Sequence, residues 1–208
     1  GQTEFVEVLA GQRAESSGHV EAGGRRYDKT RAEMRALGIK LLPEAPLDNA
    51  CVRGMSVAEN LSLRSYDTEP MARGGIWLNR AEMRKRAADL IARFHIKTQG
   101  PDAPIETLSG GNVQRTVLAR ELSEKARILI VQNPCFGLDL KAVAEIRRQI
   151  VDARNGGTAV LLISEDLDEI LELADRILVM SDGRIVYETP RAEADLQEIG
   201  HHMAHHEV

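Results

Sequence analysis

The C-terminal half of this chain alternates short apolar runs with amphipathic ones, and that alternation narrows the possible folds more than any other feature. Residues 127–131 end in the continuous run Ile128-Leu129-Ile130-Val131, too short for a buried helix and rich in β-branched residues. Residues 140–154 then carry Val143, Ile146, Ile150 and Val151 at helical spacing. A second strand is predicted over 158–163 and a short helix over 166–174. Two further strands, 176–180 and 184–187, flank Asp182-Gly183, a tight hairpin turn signal. Strands that are apolar throughout and separated by helices need cover on both faces. The expectation is an α/β fold with a mostly parallel sheet.

Earlier in the chain, Phe5, Val6, Leu9 and Ala10 mark one side of a helix end, with Gly11 as its C-cap. Gly18, Gly23 and Gly24 indicate turns around a short strand. Residues 31–37 predict a helix stopped at Gly38, and residues 39–42 a strand closed by Pro43. Ser56-Val57-Ala58-Glu59 is a capping box. A strongly helical run over 80–94 buries Met83, Ala87, Leu90, Ile91 and Phe94, leaving Arg84-Lys85-Arg86 on the solvated side. A further helix is expected over 109–123. Pro101 and Pro104 close a helical insertion at 56–104, with residues 1–55 and 105–208 as the core of a single domain.

Net charge restricts the partners. A formal charge of −5 lacks the basic face that nucleic-acid phosphates require, so no nucleic-acid partner is expected. Cys51 and Cys135 have no ligand spacing, which favours free thiols over a disulfide or zinc site. No apolar run approaches the ~20 residues of a membrane span. His201/His205 and His202/His206 are i, i+4 pairs that could hold a metal on a helix. An exposed histidine cluster is the plainer reading, and no metal site is assigned.

The string Leu108-Ser109-Gly110-Gly111-Asn112-Val113-Gln114-Arg115 stands at a predicted helix start. Its glycines let backbone approach a ligand, and amides at a helix N-terminus favour an anion. Ser109 could cap the helix or donate to a phosphate oxygen. Alone, the string reads as an ordinary serine cap. It is followed, however, by the apolar strand ending in Gln132-Asn133-Pro134, then by Gly137-Leu138-Asp139. A further apolar strand ends at Ser164-Glu165-Asp166.

That order and spacing resemble the ATP-binding-cassette (ABC) family: signature loop, Walker B strand, D-loop, switch-histidine strand. The resemblance implies a P-loop NTPase fold with an inserted helical subdomain. It also implies ATP and Mg²⁺ as cofactors, and as partners a second ABC nucleotide-binding domain and transmembrane permease subunits. Its expected location is cytoplasmic, peripheral on the inner face of the cell membrane. In this register Gly1-Gln2-Thr3 falls at the end of the P-loop, with Gln2 in place of its lysine. The Gln of the family's Q-loop is Glu44 here, and its switch histidine is Glu165. The Walker B carboxylates, which hold the magnesium ion and activate water, read Gln132 and Asn133. An amide is no base and a weak ligand for a hard cation. The resemblance therefore implies a degenerate half-site with no intact catalytic residue. Leu108, Ser109, Gly110, Gly111 and Asn112 would serve ATP held by the partner, and Gly137, Leu138 and Asp139 would shape that interface.

Ser56-Val57-Ala58-Glu59-Asn60-Leu61 and Ser164-Glu165-Asp166-Leu167 are similar to the second cassette of simple-sugar and nucleoside importers. Arg73-Gly74-Gly75 leans toward the nucleoside branch. With no initiating methionine, the chain is expected to be a piece lacking the first strands of its domain. The alternatives are a non-transport cassette and a non-catalytic structural or regulatory one.

Overall fold

The computed structural model describes residues 1–204. In chain order the elements are α1 (Gln2–Leu9), β1 (Glu21–Ala22), β2 (Arg25–Arg26), α2 (Arg31–Leu37), β3 (Ile39–Leu42), α3 (Pro46–Asn49) and α4 (Val57–Ser62). They continue with β4 (Ala72–Arg73), β5 (Trp77–Leu78), α5 (Arg80–Arg93), α6 (Gly110–Leu122), β6 (Ile128–Gln132) and α7 (Leu140–Asn155). The last are β7 (Ala159–Ile163), α8 (Leu167–Leu173), β8 (Arg176–Ser181), β9 (Arg184–Pro190) and α9 (Leu196–Ala204). The chain forms two compact units, Gly38–Val160 and the pair Gly1–Leu37 with Leu161–Val208.

Within Gly38–Val160, β3 and β6 are parallel, with Ile39 opposite Ile128 and Leu42 opposite Val131. The Ala159 amide opens β7 by donating to the Arg127 carbonyl at 2.9 Å. Every residue of β3 is buried, as are the last four of β6, whereas β7 is exposed to half-buried. Cover on both faces, expected for all of these strands, therefore holds for the first two. Helix α6 is buried from Asn112 to Glu121. Its Ala119 joins Val57, Leu61, Leu90, Phe94 and Ile105 in one apolar cluster with α4 and α5.

The local signals translate directly. Ser56 Oγ accepts the Glu59 amide at 3.2 Å while Glu59 accepts the Ser56 amide at 2.9 Å, the reciprocal box that starts α4. That amide is the main reason the Glu59 carboxyl is held below its ordinary value. Ser56→Ala is expected to cost about 1 kcal/mol of unfolding free energy, read in urea. A depressed carboxylate contributes stability above its unfolded pKa and loses it as pH falls through the folded one. The wild-type advantage should therefore narrow in acid.

Two expectations need correction. On α7 the buried face carries Ala142, Ile146, Gln149 and Ile150, with Val143 and Val151 only half-buried. Arg86 is not simply solvated: its guanidinium donates to Ser65 Oγ at 3.1 Å and Ser123 Oγ at 2.9 Å. The segment between α4 and α5 also holds the β4–β5 hairpin, which apolar periodicity did not reveal.

In the other unit, β8 and β9 form the expected hairpin, bulged between Val179 and Met180. Ile177, Val179 and Ile199 form a small core against Leu167, Ile170 and Leu171. Gly11 is obligatory: its φ is +71°, and a Cβ there would lie 2.6 Å from the Lys29 carbonyl oxygen. His202 stacks on Tyr187 with ring centroids 4.6 Å apart. His205 and His206 lie outside the described residues.

Candidate functional site

The site is assembled where α6 begins. Ser109 is the N-cap, extended at φ −64° and ψ 156°, and its carbonyl accepts the Asn112 and Val113 amides. Its hydroxyl does not cap the helix. Instead Ser109 Oγ accepts from Asn112 Nδ2 at 2.8 Å, while Asn112 Oδ1 accepts the Lys97 amide at 2.8 Å. A buried asparagine thus holds the serine and leaves its hydroxyl proton free to donate outward. The two glycines have different surroundings. A Cβ on Gly111 would meet Ala142 Cβ at 3.3 Å and Leu138 at 3.7 Å, whereas one on Gly110 would meet nothing within 4 Å. Gly111 lets α6 approach α7, and Gly110 leaves the helix N-terminus open to an anion.

The end of β6 is tied to the same helix. Gln114 Nε2 donates to the Pro134 carbonyl at 2.8 Å in the interior. Gln132 and Asn133 are both buried, and Asn133 takes φ +43°, a left-handed conformation that asparagine tolerates. Gly137, at φ +71°, turns the chain into α7, where Asp139 caps the helix by accepting the Ala142 amide at 2.9 Å. Phe136 and Leu140 flank this turn at 79% and 89% exposure. Because Leu42 pairs with Val131 in parallel register, Glu44 leaves the sheet at the same carboxyl edge as Gln132. Its carbonyl accepts Asn49 Nδ2 at 2.7 Å, and Ala45 beyond it is left-handed at φ +47°.

One unit therefore gathers Glu44, residues 108–112, Gln132, Asn133 and residues 137–139. Leu108 packs on the α4–α5 apolar cluster, so among residues 108–112 it is the structural member. Gly1-Gln2-Thr3 and Glu165 belong to the other unit. Gly1 precedes α1, whose Phe5 amide closes on the Gly1 carbonyl at 3.0 Å. Glu165 is exposed, just before the Asp166 cap of α8. The sequence reading missed the Asn112–Lys97 and Gln114–Pro134 links; their partners lie 15 and 20 residues away, beyond any local pattern.

Residues 1–135 match the ABC transporter family. The chain belongs to that family. The glucose import ATP-binding protein TsgD13 of Haloferax volcanii is 38% identical over 98% of this chain and 37% of its own length. The guanosine import ATP-binding protein NupO of Bacillus subtilis is 33% identical over 98% of this chain and 40% of its own. An arabinose import ATP-binding protein, AraG 2 of Burkholderia ambifaria, is 39% identical over 93% and 37%. The chain thus spans about two-fifths or less of these relatives. Among solved structures, an ATP-binding subunit of an ABC transporter superposes with a TM-score of 0.76 at 18% identity, covering 99% of this chain and 84% of that one. A dimeric cassette bound to ADP and Pi gives 0.73 at 20%, covering 92% and 81%. At these identities the likeness speaks to the fold, which is the α/β P-loop NTPase fold of ABC cassettes.

The donor chemistry can be tested against the family's cofactors. Exposed Ser109 and the open approach at Gly110 suit a phosphate. At the end of β6 stand two amides, Gln132 and Asn133. Among the described residues, no group of three or more His, Cys, Asp or Glu is placed to hold a metal ion. Neutral amides are weak ligands for a hard cation such as Mg²⁺.

Proposed function

We propose that this cassette is half of the ATPase of an importer for a simple sugar or nucleoside, offering its signature loop to ATP held by a partner cassette. Its own half-site does not hydrolyse ATP. The observation that carries the reading is the contrast within one unit: Ser109 is positioned with its hydroxyl free of the helix cap, while β6 ends in amides. In trans, Ser109 and the first amides of α6 would bind and orient the terminal phosphate. Asp139 and Gly137 would set the approach of the partner. ATP and its Mg²⁺ would be held mainly by that partner's residues. Both solute classes stay in the proposal because TsgD13 and AraG 2 are named for sugars and NupO for guanosine. The permease would meet the Glu44 loop and the helical segment after it, placing the assembly on the cytoplasmic face of the membrane.

Phosphate release by the purified chain tests the degenerate half-site. Turnover is expected at background and unaltered by Asn133→Ala. Measurable hydrolysis that Asn133→Ala abolishes would overturn the proposal.

A further inference from the structure

The β4–β5 hairpin lies in sequence between α4 and α5, outside the residues gathered at the start of α6 and the end of β6. It pairs Ala72 with Leu78 and Arg73 with Trp77. The connection is the three residues Gly74, Gly75 and Ile76; Gly74 and Gly75, at φ +60° and +72°, supply its left-handed positions, and the Ile76 amide reaches the Arg73 carbonyl at 3.4 Å. The base is clamped. Met71 and Ala72 are each 1% exposed, and the Asn79 amide donates to the Met71 carbonyl at 2.8 Å. The Asn79 side chain then caps α5. A tip held this firmly is displayed, and what it displays is apolar: Ile76, Trp77 and Leu78 are 79%, 77% and 51% exposed. Trp77 is the one tryptophan of the chain.

Successive strand side chains point to opposite faces, so within β5 Trp77 and Leu78 lie on opposite faces, and Ile76 stands in the turn before them. A flat protein surface would cover one side of the tip, whereas the headgroup region of a bilayer surrounds both. Charge agrees with this choice. Arg73, exposed, sits directly across from Trp77, and Arg80 at the start of α5 is 73% exposed, its guanidinium 4.0 Å from the Glu59 carboxylate in a solvent-accessible pair that lipid phosphate can replace. Indole at headgroup level, guanidinium on lipid phosphate and branched aliphatics beneath are the chemistry of an interfacial anchor. The chain as a whole carries −5, so attraction to an anionic surface has to be local, and Arg73 and Arg80 supply positive charge at this tip.

We propose that the β4–β5 hairpin is a membrane-interface anchor that inserts Ile76, Trp77 and Leu78 shallowly into an anionic bilayer, with Arg73 and Arg80 on lipid phosphates. The contact is reversible, since so small a tip is a single weak signal that gains permanence only beside a second attachment.

Trp77 emission reads the contact without a label. With vesicles of equal parts phosphatidylcholine and phosphatidylglycerol, a blue shift and quenching by brominated acyl chains are expected. Both should weaken with phosphatidylcholine alone or at about 0.5 M salt. The double variant Ile76→Ser with Leu78→Ser keeps the fluorophore and should bind at least about tenfold more weakly. Arg73→Gln should bind about fivefold more weakly. Far-UV circular dichroism checks the fold of both, and Arg73→Gln alone suffices if the double variant fails. Emission unchanged by anionic vesicles at millimolar lipid would overturn the anchor, as would binding equal in both variants. A blue shift that needs permease in the vesicles would assign the tip to a protein surface instead.

Discussion

Ser109→Arg in the assembled transporter is expected to lower ATP turnover by about 10²–10³-fold, the loss typical of removing an electrostatic donor aimed at developing charge. Ser109 is exposed at the mouth of α6, beside a Gly110 whose Cβ direction is empty. An arginine there removes the hydroxyl and fills the approach path. It also takes away the oxygen on which Asn112 Nδ2 rests. Gln132→Ala in the same assembly is the matched control, and it should leave turnover nearly unchanged because no Mg²⁺ chemistry is assigned to that residue. Phosphate release, measured alongside thermal unfolding to establish that the variant folds, decides between the outcomes. Turnover unchanged by Ser109→Arg would remove the signature loop from the reaction.

Glu121→Ala is expected to destabilise the chain by about 3–5 kcal/mol, the usual result of stripping one partner from a buried ion pair. Glu121 is fully buried and accepts from Arg120 Nε at 2.9 Å and from Arg64 Nε at 3.1 and 3.2 Å. Arg120, itself 4% exposed, also donates to the Ala50 carbonyl at 2.7 Å and the Asn60 carbonyl at 3.4 Å. The cluster joins α6 to α4 and to the segment following the Glu44 loop. Removing the carboxylate strands a buried guanidinium whose other bonds go to neutral carbonyls. Urea unfolding should show the loss. Glu121→Gln, which keeps the shape and part of the hydrogen bonding, should fall between wild type and Ala. A loss under about 1 kcal/mol for Glu121→Ala would mean that solvent reaches the cluster.

Much of the scaffold was legible because its causes are local. The helix over 31–37, the strand over 39–42, the Ser56 box and the face of α5 follow from neighbours within one turn or one strand. The turn at Asp182-Gly183 follows from two residues. Misreadings arose where a distant contact outweighed periodicity. On α7 the buried stripe is shifted toward Ala142 because Gly111 on another helix admits that side chain. Arg86 left the solvated side because Ser65 and Ser123, far along the chain, accept its protons. The β4–β5 hairpin has strands of two residues each, too short to show alternation; only Gly74-Gly75 hinted at it.

The signature string displays the same division. By itself the sequence determined the α/β alternation and the order of the motifs that resemble the cassette family, because residue identity and spacing suffice for each. It left Ser109 with two roles, since a serine before a helix can turn its hydroxyl inward to the backbone or outward to a ligand. Only the tertiary structure shows that the hydroxyl is not the helix cap. The Lys97 amide, brought in from the end of the α5 segment, holds Asn112, and Asn112 holds the hydroxyl off the helix cap. Where a polar side chain can satisfy itself in two ways, the choice belongs to whichever distant partner the fold delivers.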